Sequence, residues 1–481
     1  MLNLYDSLTG RLKPFPPDDS RPTTMYACGP TVYHYAHIGN LRTYAAVDLL
    51  RRYLEYRGHR VKLVMNITDV GHMLEDADRG EDKMEAAAAR EGKTPWEIAA
   101  FYTDAFFKDV EAIGLKPADV YPKATDHVPE MIGLIEKLLA NGKAYVTEQG
   151  DVYYDVGSFK DYGKLSGNTV EELVAGARVE GAPDKRHPAD FALWINNPKH
   201  VMQWKAPWGS GYPGWHLECS AMSMKYIGET IDLHAAGEDL KFPHHECEIA
   251  QSEGATGRPF VRHWFHVKHL LVEGEKMSKS KGNFYTLSDL VDKGFSPEAV
   301  RFLLLSAHYR TQLNFTIEGL RAAEKELASL RELAESLESK VSAEGGFASG
   351  GKGQRSNTAS PFERQFQEAL DDDLNVSSAL AVVRVFARGA NRALADGRME
   401  SASAAVGVNF LKAFDGVFGL RLFEERVLEI PPDIESLVKA REEARGKKDW
   451  AESDRLRALI EERGFEVEDA PEGAKIKKRR A

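Results

Sequence analysis

Cysteine is scarce in this sequence. Cys28, Cys219 and Cys247 are the three cysteines among 481 residues, too few for a disulfide framework, and their odd number leaves at least one outside any internal pair. Their chemistry is therefore metal binding, catalysis or plain packing. Long hydrophobic runs are also missing. No apolar stretch approaches the about 18 residues that a membrane span needs, so no membrane partner is expected. The opening MLNLYDSLTGRLKPF puts Asp6, Arg11 and Lys13 where a secretory leader carries its apolar segment, which predicts a cytoplasmic location. Gly (40) and Pro (21) are too few for a fibrous or disordered chain. No G-x-y period and no internal repeat is present. Positive charge is not in surplus either: 63 Lys and Arg face 74 Asp and Glu, a formal net charge of −11. That excludes coating nucleic acid by charge alone. It leaves room for a local basic face, because salt screens charges more than about 8–10 Å away.

What is present is an ordinary globular composition, 43% apolar and 28% charged, long enough for two to four domains at roughly 100–200 residues each. Thr23 to Ala27 reads as a strand broken by Cys28-Gly29-Pro30. Leu41 to Tyr56 then carries apolar residues at helical spacing, and Gly58 stops that helix. Val61 to Ile67 is a second strand. A strand, a Gly-containing turn, a helix and a strand begin a nucleotide-binding α/β unit. Residues 83–140 look helical. Residues 143–200 are Tyr- and Gly-rich with short strand-like pieces, an insertion placed at about 124–205. Strand patterns return at Ile231–His234 and Trp264–Leu271. After 298 the pattern is nearly all helical, with an amphipathic helix over 316–341 and a Gly/Ser-rich flexible loop over 342–361. Pro431-Pro432 marks a boundary. A charged module follows and ends in Lys475, Lys477, Lys478, Arg479 and Arg480.

Two segments suit polyphosphate chemistry. Lys276-Met277-Ser278-Lys279-Ser280 lies in a polar loop after the 264–272 strand, where lysines supply point charge and hydroxyls supply hydrogen bonds as charge develops on a leaving pyrophosphate. Thr31-Val-Tyr-His34-Tyr-Ala-His37-Ile-Gly39-Asn40 lies between the first strand and the first helix. There Gly39 admits a ligand to the backbone, the helix N-terminus favours phosphate, and His34 and His37 can donate to phosphate oxygens. A third set is dispersed: Cys28, Cys219 in Gly214-Trp-His-Leu-Glu-Cys, and His244 and Glu248 at i, i+4 in Pro243-His-His-Glu-Cys-Glu. Two thiols, an imidazole and a carboxylate suit zinc. From spacing alone this signal is weak, and packing is the commoner use of such lone cysteines.

The two phosphate motifs resemble the paired HIGH and KMSKS signatures of class I aminoacyl-tRNA synthetases, with Asn40 where the first signature ends in His. CGPTVYHYAHIGN, GWHLECSAM, DLKFPHHECE and KMSKSKGN, in this order, resemble the cysteinyl-tRNA synthetase family. The likeness extends through LYDSLT at the start, DDDLNVSSALAVV at 371–383 and KDWAESDRLRALIEERGFEVED at 448–469. It implies an α/β Rossmann-like catalytic domain over 1–297 with the insertion, an α-helical bundle over 298–428, and an anticodon-binding module over 429–481.

The resemblance also implies roles. Cys28, Cys219, His244 and Glu248 match the zinc ligands. His34, His37, Asn40, Lys276 and Lys279 match positions at the reaction centre. His37, Gly39, Asn40, Asp239, Lys276, Met277, Ser278, Lys279 and Ser280 match ATP contacts. Cys28, Thr68, Trp215 and His234 match the cysteine pocket. Ala235 and Ala236 stand where that family often has glycine, Cys247 where it usually has Asn, and the acidic stretch after Asp69 replaces a shorter segment. The expected activity joins L-cysteine to tRNA-Cys with ATP, using one zinc and ATP-bound magnesium, in a monomer. Cysteine and serine differ by sulfur for oxygen. A small apolar difference is worth only about 1–3 kcal/mol, whereas a thiolate is a far better zinc partner than a hydroxyl. Two rival readings share features with this one. A cysteine–sugar-amine ligase would carry the same site but lack residues 433–481, and a zinc-stabilised nucleic-acid binder would not need the KMSKS lysines.

Overall fold

The computed structural model describes residues 1–16, 20–71, 82–168, 184–278, 281–343, 360–424, 431–470 and 473–478. The chain opens with an antiparallel hairpin, β1 (Asn3–Asp6) and β2 (Arg11–Pro14). The buried Asp6 carboxylate accepts from Thr9 and Lys13 and closes the turn. β3 (Thr23–Ala27) follows. Cys28-Gly29-Pro30 then leaves the sheet, and α1 (Ile38–Tyr56) begins at a capped turn. Gly58, at φ +92°, lets the chain reverse into β4 (Val61–Met65), since a left-handed backbone favours glycine. The helix starts three residues before the apolar spacing does, because its cap lies in the turn itself. The second strand stops at Met65 rather than Ile67, because Ile67 bridges Lys123 outside the sheet.

α2 (Lys83–Glu91), α3 (Pro95–Ala112) and α4 (Val128–Ala140) come next. Thr94 and Glu97 cap α3 reciprocally. The expected insertion holds most of an antiparallel sheet that runs past 205: β5 (Ala144–Val146), β6 (Val152–Tyr154), β7 (Phe191–Asn196), β8 (Trp204–Ala206) and β9 (Gly209–Pro213), in the order β5-β6-β7-β9-β8. α5 (Trp215–Tyr226) leads to β10 (Leu233–Gly237), and α6 (His244–Thr256) leads to β11 (Trp264–Val267). The central sheet has the order β11-β10-β3-β4, and every pairing in it is parallel. The expected strand at 231–234 lies two residues later, and Ala235 and Ala236 sit in it as ordinary buried strand residues. The expected strand at 264–271 is two strands. Lys268 N–H donates to Tyr309 O and turns the chain. β12 (Leu270–Val272) then joins β13 (Glu275–Lys276) and β14 (Leu313–Phe315).

α7 (Leu287–Asp292) and α8 (Pro297–Leu304) precede the long α9 (Ile317–Ala343). α10 (Pro361–Asp371), α11 (Val376–Ala395) and α12 (Ser401–Phe418) complete a helical layer, with Phe366, Phe410, Phe414 and Phe418 meeting edge to face or tilted. Residues Met1–Leu422 form one compact unit and Phe423–Ala481 another. The second unit contains α13 (Pro432–Gly446), α14 (Trp450–Glu462) and the hairpin β15 (Phe465–Ala470) with β16 (Gly473–Lys478). Ile434, Val438, Ile460 and Val467 form its core. Most of the acidic stretch (72–81), most of the Gly/Ser-rich loop (344–359), and Arg479 and Arg480 lie outside the described residues.

Candidate active site and metal centre

β3 is the switch point of the central sheet: the chain passes from it to β4 on one side, while β10 pairs on the other. Ligands of open α/β sheets bind at the carboxyl ends of the strands at such a point. Here the segment leaving β3 holds both the first phosphate motif and Cys28. Gly29 is required by contact, because a Cβ there would lie 1.7 Å from Asn66 O. Its N–H donates to Asn66 Oδ1 at 2.8 Å.

His37 caps α1. Its Nδ1 accepts from Asn40 N–H at 3.2 Å, and Asn40 Oδ1 accepts from His37 N–H at 3.1 Å. Asn40 thus completes a capping box, a use that sequence reading did not assign to it. With Nδ1 accepting, Nε2 is the ring's N–H donor. Gly39 sits beneath this ring: a Cβ there would meet it at 2.9 Å and Met277 Cε at 3.5 Å. The two phosphate motifs therefore lie side by side. Ile38 N–H donates to Tyr285 O at 3.0 Å, and Phe284 packs edge-on against His34 and His37. Asn283 Oδ1 accepts from Ser278 N–H at 2.8 Å and shapes the loop. Lys276 is exposed at its base, and Lys279 and Ser280 lie outside the described residues. Asp239 is exposed on the single turn after β10.

Cys28, Cys219, His244 and Glu248 converge in the buried interior. Their donor atoms all lie within 4.8 Å of one another. Cys28 Sγ is 4.0 Å from Cys219 Sγ and 4.0 Å from Glu248 Oε1, and His244 Nε2 is 2.9 Å from the same Oε1. The segment leaving β3 supplies the first ligand, α5 the second and α6 the last two. Bonds of roughly 2.0–2.3 Å around a tetrahedral ion separate its ligands by roughly 3.3–3.8 Å, so this set fits zinc with small movements. The set Cys28, His234, His245 and Glu248 meets the same distance limit, but it offers one sulfur instead of two, and softness favours the first.

The surroundings hold these donors in place. His234 is fully buried on β10 and meets Glu248 Oε2 at 2.8 Å. His216 Nδ1 faces His244 Nδ1 at 3.0 Å, and the Trp215 ring lies 4.5 Å from the His244 ring. His245, which sequence reading missed, has Nε2 3.4 Å from Cys28 Sγ and Nδ1 2.8 Å from His266 Nε2. Its signal was the neighbouring His244, but adjacency cannot tell which face of a helix points at a metal. Thr68 Oγ1 donates to Glu218 Oε2 at 2.8 Å and is itself buried. Glu218, another missed residue, lies one position before Cys219. Cys247 points elsewhere: its sulfur is 3.3 Å from Tyr162 Oη and packs into the core between α4 and the insertion sheet.

The electrostatics are those of a site prepared for a cation. The Cys28 thiol beside it brings Cys219 down, against the cost of burial. Burial and the neighbouring Cys219 push Cys28 up. Burial works against an ionised Glu248, but His234 and His244 outweigh it and hold the carboxyl at about 2. His244 is likewise penalised by burial, and Glu248 and Cys219 raise it to about 10. Burial and the surrounding imidazoles keep His245 well below its usual value, and burial takes His266 to about 3. Metal binding displaces protons from such groups.

Comparison with known proteins adds the wider context. A model of the class I (C) tRNA synthetase catalytic domain matches residues 14–325, a DALR domain model matches 365–423, and a cysteinyl-tRNA ligase anticodon binding domain model matches 428–476. A cysteine–tRNA ligase of Chlorobaculum tepidum is 44% identical over 500 residues, covering 100% of this chain and 99% of its own. One from Thermus thermophilus is 45% identical over 480 residues, with 98% of each chain covered. The crystal structure of Mycobacterium tuberculosis methionyl-tRNA synthetase bound by methionyl-adenylate aligns with a TM-score of 0.58 and 17% identity, over 83% of this chain and 90% of that one. That likeness is one of fold.

Proposed function

Because this chain belongs to the class I cysteine–tRNA ligase family along its whole length, we propose that it activates L-cysteine with ATP and transfers it to the 3′ end of tRNA-Cys. The observation that carries this reading is the convergence of two thiols, an imidazole and a carboxylate beside the capped turn of α1. Cys28, Cys219, His244 and Glu248 would hold zinc. When bound, zinc supplies a soft acceptor for a thiolate that a serine hydroxyl matches poorly.

The chain's own residues do the remaining work. The substrate carboxylate attacks the α-phosphate, giving cysteinyl-adenylate and pyrophosphate. As in other phosphoryl transfers, the protein contributes position and charge. His37 Nε2–H and the first turn of α1 face the phosphates. Gly39 keeps that approach open. Lys276 and Lys279 neutralise the departing pyrophosphate with ATP-bound magnesium, His34 supports them, and Met277, Ser278 and Ser280 contact ATP. Asp239 contacts the ribose. Trp215 walls the cysteine pocket. Thr68 and His234 act through Glu218 and Glu248, as positioning residues for the pocket and the metal. In the second step a terminal ribose hydroxyl of tRNA attacks the carbonyl carbon of the adenylate, forming the ester and releasing AMP.

Residues 1–297 would carry the catalysis, with the insertion at about 124–205. Residues 298–428 would support the tRNA, and 429–481 would read its anticodon. The protein would work as a monomer in the cytoplasm. Among the described residues no helix is long and apolar enough to cross a membrane. A sugar-amine ligase has no use for an anticodon-binding segment, and the match over 428–476 favours tRNA as acceptor. The test is ATP–pyrophosphate exchange with cysteine and with serine, followed by charging of tRNA-Cys. Exchange that responds equally to both amino acids would defeat the proposal.

A further inference from the structure

Two large aromatic side chains stand exposed beside the catalytic turn, and the reaction centre does not use them. Tyr35, two residues before His37, is 41% exposed, and Phe101 on α3 is 43% exposed. Their rings meet at 6.1 Å, edge to face. Both rest on Tyr102, at 5.1 Å from each. Tyr102 is fixed from below, because its hydroxyl donates to Glu91 at 2.6 Å and its ring stacks on His34 at 5.9 Å. Lys93 places its ammonium 4.2 Å from the centre of the Phe101 ring. His34 in turn meets Phe284, which follows the lysine loop. A run of rings therefore leads from the lysine loop out to solvent.

From this arrangement we infer that Tyr35 and Phe101 form a stacking platform for the unpaired 3′-terminal nucleotides of the tRNA, an inference that rests on the function proposed above. Two residues of chain span at most roughly 7 Å, about the rise of two stacked bases at 3.4 Å each. A strand whose last ribose reaches the phosphates at His37 therefore brings its preceding bases to Tyr35 and Phe101. Aromatic faces accept any base, and base–ring stacking is the means by which proteins hold single strands without reading them. It also suits this chain's charge. With a formal net charge of −11, and with Lys93 and Arg90 both tied to Glu91, counterion release is a weak source of affinity here. Stacking does not depend on it.

The experiment uses the full chain and compares Phe101→Ala, Phe101→Leu and Phe101→Trp. Cysteine-dependent pyrophosphate exchange should stay within about twofold of the parent in all three. For charging of a tRNA-Cys transcript, kcat/KM should fall about fivefold or more in Phe101→Ala and Phe101→Leu, the low end of one lost base–ring stack, and return in Phe101→Trp. Binding of a transcript lacking its unpaired 3′ nucleotides should be equal in parent and variants. Normal charging by Phe101→Ala with exchange intact overturns the platform. So does recovery by leucine, which would make the contact merely apolar, or sedimentation showing that these rings join two copies of the chain. Absence of cysteine-dependent exchange in the parent would instead overturn the proposed function, and this inference with it.

Discussion

Cys247 separates recognition of a metal from mere proximity to one. It is adjacent in sequence to Glu248, yet its sulfur faces Tyr162 at 3.3 Å in a different core. A helix turns about 100° per residue, so Cys247 stands about 100° from Glu248, on the far side of His244 from it. Cys247→Ser should therefore retain one zinc per chain and near-parental cysteine activation, while Cys219→Ser should lose the metal or most of its cysteine affinity. Metal analysis and pyrophosphate exchange on both proteins check this, and zinc lost from Cys247→Ser but kept in Glu248→Ala would reverse the ligand assignment. The lysines make a different kind of prediction. Lys276→Ala, stripped of a charge needed only as pyrophosphate departs, should lower the activation rate at saturating substrate at least tenfold and leave the KM for cysteine within about threefold. Steady-state exchange kinetics decide it, and a defect confined to KM would refute it.

At the scale of elements, the joint between the sheet domain and the helical layer is a buried charge cluster. Asp48 on α1 accepts from Arg301 of α8 at 2.5 Å, from Arg52 at 2.7 Å and from Lys116 N–H at 3.0 Å. Arg301 also donates to Phe418 O at the end of α12. Burial alone would raise the Asp48 carboxyl, but Arg301 and Arg52 outweigh it and hold it low. Removing one partner of such a pair leaves an uncompensated charge, so Asp48→Asn should cost about 3–5 kcal/mol at neutral pH. A depressed carboxyl stabilises the fold above its unfolded value of about 3.9, and that stability drains away as the pH falls through the folded value. The gap between parent and variant in urea unfolding should narrow accordingly below about pH 4. A gap unchanged from pH 7 to pH 3 would remove the ion pair from the explanation.

Local signals make many of these elements legible in the sequence. Apolar spacing announces α1, and Gly58 its end. The capped turn and the lysine loop are contiguous motifs with their chemistry written in residue type. The misplacements have tertiary causes. Trp264–Leu271 reads as one strand because all its residues suit a strand, and only the Tyr309 carbonyl, far along the chain, breaks it at Lys268. The same holds at the metal centre. The i, i+4 pair His244 and Glu248 can be read from spacing, but the approach of Cys28 to Cys219 depends on sheet order. So do the pairing of Thr68 with Glu218 and of His234 with Glu248, which bring buried side chains from distant segments together.

For the whole molecule, the division into two compact units after Leu422 predicts separable tasks. A protein ending at Leu422 should keep cysteine-dependent exchange within about threefold and lose most of its ability to charge tRNA-Cys. Equal charging by the shortened and full-length chains at physiological salt would show that residues 423–481 contribute nothing to tRNA recognition.

The wide spacing of the metal ligands also carries a consequence for how the chain is made. Cys28 and Cys219 stand 191 positions apart, and the amino terminus grips Asp371, 370 positions away. At about 5–20 residues per second of synthesis, the first thiol emerges roughly 10–40 seconds before the second exists. For that interval Cys28 has neither its metal partners nor β10, whose Ala235 carbonyl receives its N–H. Until β10 is made, the edge of β3 that β10 covers has no strand to pair with. The hairpin β1–β2 waits longer still, because Tyr5 N–H donates to Asp373, 368 positions further on.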